Sequence, residues 1–209
     1  MQRPSPALTA RPAAPVTIES RALGTLAYIR ASIDSSSSMD VPGMAGIVMG
    51  IIGVLAAIAV TVPRWSAHWL GIWLFAAGVA LLLGSGLVAR QYVRSGHTRY
   101  FGPARKFLLC LCPALFAGAV LTGVAWTDGM TSVIPGMWLL LYGCGVLSAS
   151  TVTIAGISRL IGIMGASFVA LGTITCVLPG AAHTAMLGLG FGVLHIIFGI
   201  LIGHSARGE

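Results

Sequence analysis

The chain has 209 residues, 56% of them hydrophobic and only 8% charged, with a mean hydropathy of +0.94 and a formal charge of +7. A soluble domain carries about 25% charged residues, so this composition excludes a water-soluble enzyme and points to an integral membrane protein. The positive balance reads as basic residues gathered on one face of a membrane, not as a nucleic-acid surface.

Residues 1–15 hold Pro4, Pro6, Pro12 and Pro15 among Ala and Ser. Such a segment buries too little to order itself, and the reading is a disordered tail. It lacks the charged, apolar and cleavage regions of a signal peptide. Over 16–34, Ile18, Ala22, Leu26, Ile29 and Ile33 recur at helical steps. Arg21 and Arg30 flank that face and can snorkel. The pattern predicts a cytoplasmic amphipathic helix on the membrane surface or against the bundle, with a coiled or protein-docking helix as the alternative. Residues 35–42 form a linker that opens on four serines. Asp40 and Pro42 then suit the cap and first turn of a helix.

Six apolar stretches follow, at 43–62, 67–89, 107–126, 135–155, 160–178 and 184–203, and none contains Asp, Glu, Lys or Arg. Roughly 20 apolar residues suffice to cross a bilayer. The connections are short, and the alternating ten-residue pattern of a membrane barrel is missing. The expected fold class is therefore all-α, an integral membrane six-helix bundle of three helical hairpins over 43–203, followed by a short tail at 204–209. Proline and glycine mark the joints. Pro63 closes the first span, Gly102 and Pro103 precede the third, Pro135 opens the fourth, and Pro179 and Gly180 close the fifth.

Orientation follows from the basic residues. With the N-terminus in the cytoplasm, Arg3, Arg11, Arg21, Arg30, Arg90, Arg94, Arg99, Arg105, Lys106, Arg159 and Arg207 face inward, and only Arg64 faces outward. Both termini are then cytoplasmic. Trp65, Trp69, Trp73, Trp126 and Trp138 fall near the outer ends of their spans, and Tyr92 and Tyr100 near the inner surface, as in aromatic belts. The connection 90–106 reads as a basic loop. Its Arg90, Arg94, Arg99, Arg105 and Lys106 form a candidate surface for anionic headgroups or a partner protein, at about 1 kcal/mol per basic residue.

His195 stands near the middle of the last span, where an ionisable residue is a functional candidate by default. On a regular helix Gly188, Gly192, Gly199 and Gly203 share its face, so the ring points into the bundle. Tyr142, Ser148 and Ser167 lie at similar depth as candidate partners. Three readings stand side by side: a neutral imidazole in an interhelical hydrogen bond of about 0.6 kcal/mol, a proton-coupled or pH-sensing group, and a ligand contact. Gly46 and Gly50 are four apart, with Gly53 three further on, and Gly188–Gly192 and Gly199–Gly203 repeat the four-residue spacing. Both sets argue for close helix packing, within the bundle or between subunits.

Chemistry-bearing clusters are scarce. Cys110, Cys112, Cys144 and Cys176 have neither redox nor zinc spacing and read as small packing residues. His68 and His183 sit near the same surface, but zinc wants three or four ligands and the nearest acid is Asp128. His195 has no mate for bis-histidine haem. Gly84-Ser85-Gly86 departs from the serine–histidine pair of rhomboid proteases, which place glycine where Leu83 stands, and Ser85 falls about 6 Å nearer the cytoplasm than His195 at the helical rise. No phosphate loop or dinucleotide fingerprint is present. Neither an enzyme nor a cofactor is expected.

Helical hairpins show a weak internal repeat. Gly71-Ile-Trp73-Leu with Gly78 corresponds to Gly136-Met-Trp138-Leu with Gly143, and to Gly188 with His195. The run Gly165-Ala-Ser-Phe-Val-Ala-Leu-Gly172, then Val177-Leu178-Pro179-Gly180 and a glycine-rich helix, resembles one hairpin of the bacterial acid-resistance family of small three-hairpin inner-membrane proteins. The first hairpin, closing at Pro63, is similar. Pro113 within the third span, Pro135 after a longer loop and the extended N-terminal region depart from that pattern. The resemblance implies a bacterial inner-membrane location and a stress-related role, and it transfers no functional residue. The sequence reading is thus a non-enzymatic accessory, stress-related or regulatory membrane protein. Its partners would be membrane lipids, with a homo-oligomer or membrane-complex partner as a further option. The alternative is a small transporter or channel for protons or a neutral solute that uses His195, with Pro113 opening the third helix.

Overall fold

The computed structural model describes residues 23–26, 28, 43–95, 101–153 and 155–205. The chain divides into two compact units, Met1–Ser35 and Ser36–Glu209. In the first unit residues 23–26 and 28 are helical. Ile18, Ala22, Ile29 and Ile33 of the expected amphipathic face lie outside the described residues. So do the tail at 1–15 and the linker at 35–42.

Six helices long and apolar enough to cross a membrane make up the second unit, and the protein is a multi-pass membrane protein with an all-helical fold. They are α1 (Gly43–Thr61), α2 (Trp69–Ser95), α3 (Phe101–Thr127), α4 (Ile134–Ser150), α5 (Ala155–Val177) and α6. The sixth begins as a short α segment, His183–Leu187, widens to a π-helical stretch, Gly188–Leu194, and returns to α geometry over His195–Ser205. Its last turn takes in His204, which the sequence reading assigned to the tail.

Helix ends follow the expected punctuation, with two corrections. Pro63 opens a separate turn, Pro63–Ser66, after α1 stops at Thr61. Pro135 occupies the first turn of α4, where a missing N–H costs nothing. Between α3 and α4, Gly129 adopts φ +71°, a left-handed conformation that side chains disfavour. The first correction concerns the basic loop. Arg90 and Arg94 belong to α2, and Arg105 and Lys106 belong to α3, with Gly102 and Pro103 inside its first turn. Helical hydrogen bonding continues beyond the apolar stretch because Arg, Gln and Lys are good helix formers. Arg99, with His97 and Tyr100, lies outside the described residues. The second correction concerns Pro113, which sits inside an uninterrupted α3 and does not open it. Neighbouring groups in a membrane bundle compensate the bond that proline removes.

Packing organises the helices into two triplets. α1 lies against α2 and, along its length, against α6. α4 lies against α3 and most extensively against α5. Smaller contacts of α6 with α4 and α5 join the triplets. α5 and α6, consecutive in the chain, therefore each lean chiefly on another neighbour.

Glycine explains both principal seams. Along α1 and α6 the pairing is antiparallel. Gly43 faces the Gly199 carbonyl, and a Cβ on Gly46 would lie 3.1 Å from Gly199 Cα. A Cβ on Gly50 would lie 2.7 Å from the Gly192 carbonyl, Gly53 faces the Phe191 carbonyl, and a Cβ on Gly188 would lie 2.8 Å from Ala57 Cβ. Along α4 and α5, a Cβ on Gly143 would lie 2.8 Å from the Gly165 carbonyl, and one on Gly172 3.1 Å from the Gly136 carbonyl. Backbone meets backbone in both seams, which only small residues permit, and van der Waals contact of this kind drives helix association in lipid. Gly71, Gly78 and Gly86 of α2 have nothing within 4 Å of such a Cβ.

One polar clasp ties α3 to α4. Trp138 Nε1–H donates to Thr122 Oγ1 at 2.7 Å, and the Thr122 hydroxyl donates to the Gly118 carbonyl at 2.6 Å. Thr122→Val should lower stability by about 1 kcal/mol, because the indole donor loses its acceptor. A thermal-melt comparison in a single detergent measures this, and an unchanged midpoint would show that the clasp contributes nothing.

Candidate functional site

His195 is the first residue after the π-helical stretch and is 3% exposed. Its ring lies among aromatic side chains from three helices. Tyr142 on α4 and Phe168 on α5 approach it at ring-centroid distances of 5.3 and 5.2 Å. Phe191, one turn earlier on α6, stacks at 6.2 Å. Tyr142 also meets Phe168 edge-on at 4.8 Å and Phe191 at 5.3 Å. Edge-to-face pairs at such separations are favourable beyond the area they bury. Phe168 is wholly buried, and Trp73 on α2 reaches Phe191 at 6.3 Å, so four helices contribute to one cluster.

Both nitrogens of His195 have partners. Nε2 and the Tyr142 hydroxyl are 2.7 Å apart, and Nδ1 is 3.4 Å from the Gly190 carbonyl. A carbonyl only accepts, which assigns a proton to Nδ1. In the neutral imidazole Nε2 then accepts from the Tyr142 O–H, and each polar atom of the pair is satisfied. Gly190 precedes His195 by five residues, the step of a π turn. Side chains also crowd it closely, since a Cβ there would lie 2.5 Å from Leu139 Cδ2 and 3.2 Å from Phe168 Cε1.

Of the partners expected from depth, the structure brings Tyr142 to His195. The Ser167 hydroxyl instead donates to the Ile163 carbonyl of its own helix at 2.8 Å, and Ser148 is exposed. The shared face also divides. Gly188, Gly192 and Gly199 pack on α1, while the imidazole turns to α4 and α5. The π stretch has more residues per turn than a uniform 100° step allows, so Gly188 and Gly192 fall out of phase with His195. Phe168, Phe191 and Trp73 were not legible as members of this cluster. Trp73 in particular reads as a belt residue in the sequence, yet it is 3% exposed, whereas Trp65 and Trp126 are 47% and 55% exposed.

Other candidates stay apart from this cluster. His68 is exposed, and His183 Nε2 lies 3.1 Å from the Leu178 carbonyl. Among the described residues no three His, Cys, Asp or Glu side chains gather as a metal site would need. Ser85 is exposed and donates to the Leu82 carbonyl at 3.1 Å. Cys112, Cys144 and Cys176 are exposed, and Cys176 Sγ would lie 2.5 Å from a Cβ on Gly136. At one end of the bundle, Arg90, Arg105, Lys106 and Arg159 are all exposed.

No known protein family, curated protein or solved structure matches the chain.

Proposed function

We propose that this is a non-enzymatic protein of the bacterial inner membrane, with both termini cytoplasmic and an accessory, stress-related or regulatory role. Its basic helix ends dock on anionic lipid headgroups. The observation that carries this reading is the position of those residues. Arg90 and Arg94 lie in the closing turns of α2, and Arg105 and Lys106 in the opening turns of α3. Arg159, near the start of α5, lies at the same end because the helices alternate in direction. Helix-borne cations at the edge of an apolar span are well placed for phosphate headgroups, each worth about 1 kcal/mol near the surface.

Native mass spectrometry of the particle released from membranes in mild detergent tests this. The wild-type chain should retain anionic lipid, and Arg90→Gln, Arg94→Gln, Arg105→Gln and Lys106→Gln together should shed it. Equal retention by the fourfold variant would overturn lipid docking, and a stoichiometric foreign protein would move the role of that face from lipid to partner. A C-terminal reporter that works only in the cytoplasm should be active, and silence would reverse the proposed topology.

A second reading rests on the π-helical stretch that leads into His195. Departures from α geometry within a span accompany functional sites and transporter substrate sites. It supports a small transporter or channel for protons or a neutral solute. Against it weigh the two engaged nitrogens of His195 and the rings that enclose it.

A further inference from the structure

The two repeated Gly-x-Trp-Leu motifs place one indole each in the bundle, and the two have different fates. Trp138 Nε1–H finds Thr122 on the adjacent helix at 2.7 Å. Trp73 Nε1–H is buried and has no hydrogen-bond acceptor among the described residues. A donor without a partner is costly in hydrocarbon, where no bulk water replaces the lost bond. Such groups in native structures call for a specific explanation.

The surroundings of Trp73 narrow that explanation. The residue is 3% exposed, and its ring lies 6.3 Å from that of Phe191, at 54° to it. Phe191 belongs to the π-helical stretch. Trp73 is the fifth residue of α2, about 6 Å from the loop end at 1.5 Å per residue, so the donor is within reach of the membrane interface. The apolar stretches that carry Trp73 and Phe191 contain no charged residue. An anion would find no counter-charge there, and a cation would face a donor.

We propose that Trp73 Nε1–H is the donor of a binding site for a small neutral hydrogen-bond acceptor, walled by Phe191 and entered from the loop end of α2. The acceptor is an oxygen, either of a water molecule drawn from the interface or of a membrane-soluble carbonyl compound. Both present the same chemistry to the indole. This inference stands apart from the docking role of the basic helix ends.

Indole proton–nitrogen spectra of the full chain, labelled at tryptophan and held in lipid nanodiscs, test the proposal. The five tryptophans give a resolvable set, with Trp73 assigned by Trp73→Phe. If that variant does not fold, elimination with Trp65→Phe, Trp69→Phe, Trp126→Phe and Trp138→Phe assigns it. The expected Trp73 proton is shifted downfield, like that of hydrogen-bonded Trp138. A cross-peak to water identifies water as the acceptor. A saturable shift with acetophenone but not with ethylbenzene, a similar shape without the oxygen, identifies a carbonyl. An upfield proton that ignores both probes would overturn the proposal, because the N–H would then rest on the face of Phe191. So would a downfield proton with neither a water cross-peak nor an acetophenone response, since its acceptor would be a protein group.

Discussion

Gly143→Ala is expected to destabilise the bundle by about 1–3 kcal/mol, the usual range for overpacking. The added methyl would lie 2.8 Å from the Gly165 carbonyl and 2.8 Å from the Val169 nitrogen. Both are backbone atoms, so no side chain can swing aside and the two helices must separate. Gly53→Ala on the other seam should behave alike, since its methyl would meet the Phe191 carbonyl and lie 2.8 Å from the Gly192 nitrogen. Gly78→Ala on α2 should leave stability unchanged or raise it by up to about 1 kcal/mol, because alanine is the better helix former and nothing lies within 4 Å. Thermal midpoints by size-exclusion chromatography in one detergent compare the three. Equal behaviour would mean that the seams are not where the structure has them.

The second large effect concerns the interhelical pair of His195 and Tyr142. His195→Leu should cost about 1–3 kcal/mol, because the Tyr142 hydroxyl loses its acceptor inside an aromatic cluster. Tyr142→Phe strands Nε2 and should also destabilise. The double variant strands neither group at the 2.7 Å contact, so it should lose less than the sum of the two. The coupling should fall near 0.6 kcal/mol and at most about 1.7 kcal/mol, the range measured for hydrogen bonds between membrane helices. Strict additivity would mean that the bond does not form in the protein.

The six spans were legible because hydrocarbon tolerates only apolar side chains and self-bonded backbone, which writes each crossing plainly into composition. The glycine spacing on α1 and α6 was legible for a related reason, since close approach demands small residues at fixed steps. Which helix each glycine stripe would meet was not. Gly46 and Gly199 carry no label for each other, and the seven-residue spacing of Gly136 and Gly143 matches that of Gly165 and Gly172 only once α4 and α5 are seen side by side. His195 was visible as a polar residue at mid-span, and Tyr142 as a group at its depth. Ser167 was equally eligible by depth and bonds elsewhere, because depth fixes height and leaves azimuth open. The π stretch left no clear signal, since Gly188-Leu-Gly-Phe-Gly-Val-Leu194 also suits an ordinary helix. Its extra residues per turn take Gly188 and Gly192 out of phase with His195. Trp73 was read by its place along the chain, near a helix end, when its azimuth made it a core residue.

On the reading proposed above, the bundle is closed around His195, whose two nitrogens are engaged, and conducts no protons. Proton flux into liposomes carrying the purified chain, between pH 5 and pH 8 and with an imposed gradient, decides between the two readings. No flux above protein-free vesicles is expected, for the wild-type chain and for His195→Leu alike. Flux through the wild-type protein that vanishes in His195→Leu, while Gly78→Ala retains it, would rule out a closed bundle and establish the transport reading in its place.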